Sequence, residues 1–181
     1  MINLASSSIT RAKILEENGV KFKQFSFDFD ESGVDRNLKP ASYVLKVVQA
    51  KKEQFLKEYP NLKNLLFADS AVVCNGKILG KAKDKQEALY MLNLQSDNEA
   101  KIITAMIFLG EEFELINISS TIYQFAKFSQ DDLNEYIKSN EWQGKAGAMM
   151  IEGFNKKYIL KKIGNESTAR GLNVEQLKAF L

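Results

Sequence analysis

Asp69 interrupts the apolar run "LLFADSAVV" of residues 65–73, where a buried strand is predicted. An unpaired buried carboxylate costs roughly several kcal/mol, so cations or hydrogen-bond donors are expected beside it. A carboxylate so placed can take a proton from water or hold a hard cation; capping of backbone N–H groups where the strand twists out is the structural alternative, and a mid-strand position suits it poorly. Lys51 is the second anomaly. It falls on the inward stripe of Val44, Val47, Val48 and Phe55 at helical spacing, either to reach an internal anion or to run its stem out to solvent. In "LASSSITR", residues 4–11, a strand runs into a helix through three serines, with Arg11 one turn further on. Such a turn presents free backbone N–H groups and the positive end of a helix dipole. Hydroxyls of Ser6 and Ser8 add donors, and an arginine can grip an oxyanion through two N–H groups; taken alone, the stretch reads first as a serine cap with spare hydroxyls.

Lys81 and Lys83 in "ILGKAKD" and the three carboxylates of "DFDE", residues 28–31, read by themselves as solvated loops. "WQGKAGAMMIEG" surrounds Lys145 with glycine and alanine, which implies close backbone approach, either a turn packed on a sheet or a wall over a ligand.

The composition narrows the chemistry. The 181 residues include no histidine and one cysteine, Cys74. Ser-His and Cys-His nucleophiles, histidine-based zinc sites, cysteine-rich metal sites and a disulfide framework are thereby excluded. Carboxylates, lysine, arginine, hydroxyls and a hard oxygen-bound cation remain. Twenty-five basic against 23 acidic residues give a net charge of +2, so neither nucleic acid nor a membrane surface is expected as a partner. No apolar run approaches a membrane span and the N-terminal stretch has no signal-peptide pattern, so a cytoplasmic location is expected.

The elements that must position these residues follow from periodicity and caps. A strand is predicted at residues 2–6 and a helix at 8–18, with Gly19 as its stop. The strand of residues 22–29 shows partial alternation, and Pro40 opens a helix that runs to about residue 59. Residues 64–77 read as a buried strand turning at Asn75-Gly76. Asp84 and Glu87 form a capping box for the next helix. Strands are expected at 100–109 and 113–125, a helix from Ser129 to residue 139, a strand at 158–163 and a helix at 174–181. Together these give a single domain of mixed α/β class, a central mixed sheet flanked by helices.

In order along nearly the whole chain, these segments resemble the Maf (septum formation) family of nucleoside triphosphate pyrophosphatases. Ser6, Ser8 and Arg11 match its Ser-x-Ser-Pro-Arg-Arg turn, and Asp30-Glu31 its Asp-Glu at a strand end. Lys51 matches its helical lysine, Ala68-Asp69-Ser70 its Ala-Asp-Thr strand, and Gly80-Lys81 its Gly-Lys-Pro segment. Lys145 to Ala148 match Lys-Ala-Gly-Ala, and Gly171-Leu172 the terminal Gly-Leu-Pro. The departures are Ile9 and Thr10 for proline and the first arginine, Ala82 and Asn173 for prolines, Ala100 for a histidine, Met149 for a tyrosine and Glu152 for a glutamine.

The resemblance implies a nucleotide cleft at the sheet and hydrolysis between the α- and β-phosphates, giving a nucleoside monophosphate and pyrophosphate. Clearance of non-standard nucleotides and a link to division arrest are implied with it. Asp69 would be general base, or would hold with Glu31 a magnesium or manganese ion. Lys81 would be catalytic beside Asp69, and Lys51, Lys81, Arg11 and Lys145 would neutralise phosphate charge, with Ser6 and Ser8 in the cradle and Glu152 at the base. A nucleotide-binding regulator with weak turnover is the alternative, kept open by Thr10. The preferred base and the oligomeric state are left open, a homodimer being compatible with the resemblance.

Overall fold

Four residues, Ile2–Ala5, form β1, and the chain turns at once into helix α1, Ile9–Glu17. Ser8 is the N-cap, its Oγ accepting the Arg11 backbone N–H at 3.3 Å. The helix closes at Asn18, just before Gly19. β2, Phe22–Phe25, lies parallel to β1 in the register Ile2↔Phe22 to Ala5↔Phe25. Helix α2, Pro40–Glu58, then leads to β3, Leu65–Cys74, which pairs parallel to the other side of β1. Two successive crossovers in opposite directions put α1 and α2 on opposite faces of these strands.

The strand predicted to continue to residue 29 ends at Phe25. Its partner β1 runs for only four residues before entering α1, so the ladder has nothing further to pair with. Phe27 and Phe29 pack on each other instead, ring centroids 4.6 Å apart, and Phe27 packs on Phe55 at 5.4 Å.

The chain continues through β4 (Lys77–Leu79), α3 (Lys85–Gln95), β5 (Glu99–Leu109), β6 (Glu114–Phe125) and α4 (Gln130–Ser139). A 3-10 turn at Phe154–Tyr158, β7 (Ile159–Ile163), α5 (Glu166–Ala169) and α6 (Val174–Lys178) complete it. Hydrogen-bonded neighbours follow the order β2-β1-β3-β5-β6-β7, with β4 on β3. This seven-stranded mixed sheet with helices is the α/β class expected. It is a computed structural model describing residues 1–181.

Residue contacts group the chain into two compact units. The first comprises Met1–Ser70, Ile103–Ser119 and Asn165–Leu181. Its core packs Ile2 and Leu4 of β1 and Ile14 and Leu15 of α1 with Leu66, Ala68, Met106, Phe108 and the C-terminal Leu172 and Leu177. On the other face of β3, Phe67 meets Phe55 of α2 edge-on at 5.6 Å. The second unit comprises Ala71–Ile102 and Ser120–Gly164. Its β3–β4 hairpin turns at Asn75 and Gly76, both at positive φ, the two-residue turn that an Asn-Gly pair favours. No helix of the chain is long and apolar enough to cross a membrane.

Candidate active site

Side chains alternate along β3. Leu66 and Ala68 enter the core beneath α1, so Phe67 and Asp69 face α2. On α2, Val44, Val47, Val48 and Phe55 are fully buried, and Lys51 lies on the same stripe with its side chain 11% exposed. Its ammonium does not run out to solvent. Lys51 Nζ lies 2.8 Å from Asp69 Oδ1 and 2.7 Å from Glu31 Oε1, and 5.6 Å from the centre of the Phe29 ring. The cation that the position of Asp69 requires is therefore Lys51, brought from 18 residues away. One ammonium holds two carboxylates, from β3 and from the loop after β2.

Ser70, next along β3, faces the α1 side. Its Oγ lies 2.8 Å from Thr104 Oγ1. Thr104 gives its own proton to the Thr168 carbonyl at 2.8 Å, so Ser70 is the donor in the first bond. Gly171 adopts φ +109°, and a Cβ there would lie 3.4 Å from both Ser70 Oγ and Arg11 Nε. Its carbonyl accepts Arg11 Nε at 2.9 Å, while Arg11 Nη1 donates to Ser6 Oγ at 3.3 Å. Ser6 Oγ also accepts the Ser8 backbone N–H at 3.2 Å. The serines of the strand-to-helix turn thus cap the helix and also orient a guanidinium. Burial pulls the Arg11 guanidinium below its ordinary value, and the fields of Asp69 and Glu31 oppose that pull. Arginine has five N–H donors, so the fork retains capacity for an oxyanion after these two bonds.

The structure brings Ser6, Ser8, Arg11, Glu31, Lys51 and Asp69 together within the first unit. Lys81, Lys145 and Glu152 belong to the second. There Lys81 bridges Ala146 in antiparallel fashion, and Gly147 N–H donates to the Gly80 carbonyl at 2.8 Å. The two lysine-bearing segments are therefore joined along their backbones. Gly147 adopts φ +65°, and a Cβ would meet Val72 Cγ1 at 3.0 Å: the close approach that the small residues around Lys145 imply is real. Glu152 is exposed, and its carboxylate contributes to holding the Tyr136 phenol above its ordinary value, after burial and Glu141. A surface cavity of about 650 Å³ in this unit is lined by Asp132, Glu135, Tyr136, Glu141, Phe154 and Lys157 among others, and by none of the candidate residues.

Two of the departures from the family pattern, Asn173 and Ala100, have a local setting in the structure. Asn173 replaces a proline but caps α6, its Oδ1 accepting the Gln176 N–H at 3.1 Å. Ala100 is fully buried in β5, where a histidine side chain has no room without repacking.

Tyr43 escaped the sequence reading. It lies on α2 two turns before Lys51, and the signal available was that i, i+8 spacing. Burial raises the Tyr43 phenol above its ordinary value, Arg36 opposes this, and Asp69 and Glu31 add to it.

No group of three or more histidine, cysteine, aspartate or glutamate side chains is arranged so as to hold a metal ion. Glu31 and Asp69 form a two-carboxylate set, all oxygen. That set suits magnesium or manganese, which keep several waters and take further oxygens from phosphate, better than zinc, which favours nitrogen and sulfur donors.

Comparison with known proteins gives a consistent picture. A family model described as Maf-like protein matches residues 1–181. Proteins named nucleoside triphosphate pyrophosphatase are similar over their length. One from Campylobacter jejuni subsp. doylei is 45% identical, with 100% of both chains covered. One from a Nitratiruptor species is 44% identical, covering 98% of this chain and 96% of the other. One from Helicobacter pylori is 33% identical, covering 98% and 93%. Among solved structures, that of a HAM1 protein from Coxiella burnetii superposes with a TM-score of 0.50 at 16% identity, covering 99% of this chain and 98% of that one. It is a likeness of fold.

Proposed function

This chain belongs to the Maf-like protein family, and from that premise we propose that it is a nucleoside triphosphate pyrophosphatase, cleaving between the α- and β-phosphates. The observation that carries the proposal is the Lys51 ammonium held between Asp69 and Glu31. A carboxylate on the inward face of a strand, paired with an adjacent ammonium, is suited to take the proton of an attacking water. Asp69 has that role. Arg11, oriented by Ser6 and by the Gly171 carbonyl, would grip phosphate oxygens. Lys51 would transfer part of its charge pairing to substrate as negative charge gathers on the oxygens. Lys81 and Lys145 carry the same kind of charge, and the family motifs assign them to phosphate oxygens.

Glu31 and Asp69 would hold a magnesium or manganese ion, whose contribution would be Lewis acidity and a more nucleophilic water. The backbone N–H groups at the start of α1 favour anions whether or not a cation is bound. Retention of Asp69, Lys51 and Glu31 as one cluster favours turnover over a regulator that only binds nucleotide. Pyrophosphate release, measured over a panel of nucleoside triphosphates with magnesium or manganese, tests the proposal. Saturable release that disappears in Asp69→Asn supports it, and binding without release supports the regulator.

A further inference from the structure

Residues 145–153 of the second unit carry Lys145 and Glu152, and their backbone is held in an unusual way. Gly147 and Ala148 are consecutive residues at positive φ, +65° and +53°. For Ala148, which has a Cβ, this conformation is unfavourable. It persists because three side chains from three other places in the unit bind the backbone here. Gln95, at the end of α3 and fully buried, donates Nε2 to the Gly147 carbonyl at 2.6 Å and to the Met91 carbonyl at 3.1 Å. Tyr136, on α4 and 5% exposed, donates its hydroxyl to the Ala148 carbonyl at 3.0 Å. Asn155, at the 3-10 turn and fully buried, accepts the Met150 N–H at 2.8 Å and donates to Gln95 Oε1 at 3.4 Å.

Apolar packing would bury these positions at lower desolvation cost. Polar side chains were used instead, and three of their five bonds go to main-chain atoms of one loop, at Gly147, Ala148 and Met150. Such bonds add modestly to net stability, and because they are directional they also fix the course of the backbone they hold. Strained backbone held by an over-determined polar shell is a recurrent feature of ligand-facing segments.

We propose that Tyr136, Gln95 and Asn155 are positioning residues that set substrate selectivity, holding residues 147–150 in the one conformation from which the chain presents Glu152 to the nucleobase. The inference rests on the assignment of Glu152 to the base. Tyr136 is the most useful position to test, because Tyr136→Phe removes one hydroxyl and keeps the ring stacked on Phe154, at 4.6 Å. Losing that bond frees the Ala148 carbonyl and lets the loop sample other conformations, so that different bases are accepted more evenly.

The experiment compares kcat and KM for uridine, thymidine, cytidine and guanosine triphosphates in the unaltered protein, in Tyr136→Phe and in Glu152→Gln, with folding checked by the melting transition. Gln95→Met serves as a second loop variant. Tyr136→Phe is expected to compress the ratio of kcat/KM between the best and worst nucleotide by about three- to tenfold, the scale of one neutral hydrogen bond. The change should lie in KM, with kcat on the best nucleotide within about twofold. Glu152→Gln is expected to shift the ratio towards uridine or thymidine triphosphate, since glutamine offers a donor where ionised glutamate offers acceptors only. A shift in Glu152→Gln with unchanged ratios in both loop variants overturns the positioning role and leaves the base assignment standing. Unchanged ratios in all three overturn both. A uniform fall in kcat across the four nucleotides, with ratios kept, assigns Tyr136 to stability alone and also overturns the proposal.

Discussion

The ammonium of Lys51 sits 2.8 Å from Asp69 Oδ1 while its other close partner, Glu31 Oε1, lies at 2.7 Å. Lys51 is thus a shared counter-ion. Removing the charge on Asp69 leaves the lysine with Glu31, so the fold keeps a counter-ion for it.

Asp69→Asn should therefore fold normally and lose turnover. Asparagine matches aspartate in volume but cannot accept a proton from water. A loss of kcat of about 100-fold or more is expected for a general base, with nucleotide affinity changed by no more than a few-fold. Steady-state kinetics together with a nucleotide titration of the same preparation checks this. Near-normal turnover in a folded variant would remove Asp69 from the reaction.

The pairing also bears on metal. A divalent cation that takes Glu31 and Asp69 competes with Lys51 for the same oxygens. Activity should vanish in chelator and return with magnesium or manganese better than with zinc. Lys51→Met should bind manganese several-fold more tightly in the absence of nucleotide, as read by electron paramagnetic resonance titration, and should have lower kcat/KM. Unchanged manganese affinity would show that the lysine and the ion do not share these carboxylates.

Features set by near neighbours in the chain were the legible ones. Ser8 before α1, Asn75-Gly76 at the hairpin and Ser129 before α4 all act as expected, Ser129 Oγ accepting the Asp132 N–H at 3.2 Å. The capping box was half right. Asp84 accepts the Glu87 N–H at 2.8 Å, but Glu87 reaches past it to the Lys83 N–H at 2.7 Å. Lys51 stood out because one helical period exposes a wrong residue type on an apolar stripe. The early end of β2 was not legible, because it depends on how long β1 lasts, and that is a property of the partner. The same limit applies to Arg11. Its orientation depends on the Gly171 carbonyl, 160 residues away, and no local pattern reports such a contact. The strand order and the polar clamp on residues 147–150 are non-local in the same sense.

Cys74 offers a pH-dependent check on the packing of the second unit. It is 1% exposed, its thiol facing the Leu94 carbonyl at 3.0 Å and the Glu99 carbonyl at 3.3 Å. Burial raises the thiol above its ordinary value of 9.0, the Asn75 backbone opposing and Glu99 adding to it. The folded state therefore holds this proton more tightly than the unfolded chain. Its contribution to stability is complete below the ordinary thiol value and is lost as pH rises through the folded value. Reaction with a thiol reagent at pH 8 should be slow in the native protein and prompt, at one equivalent, in denaturant. Prompt native labelling would contradict the packing described.

The central claim is that water attacks so as to release the β,γ-unit whole, with Asp69 accepting its proton and Arg11 and the lysines holding phosphate oxygens. The most direct measurement is hydrolysis of a nucleoside triphosphate in ¹⁸O-labelled water, with products identified by ³¹P magnetic resonance. The account predicts nucleoside monophosphate carrying the label and unlabelled pyrophosphate. Nucleoside diphosphate with labelled orthophosphate would contradict it and place the protein in a different reaction class.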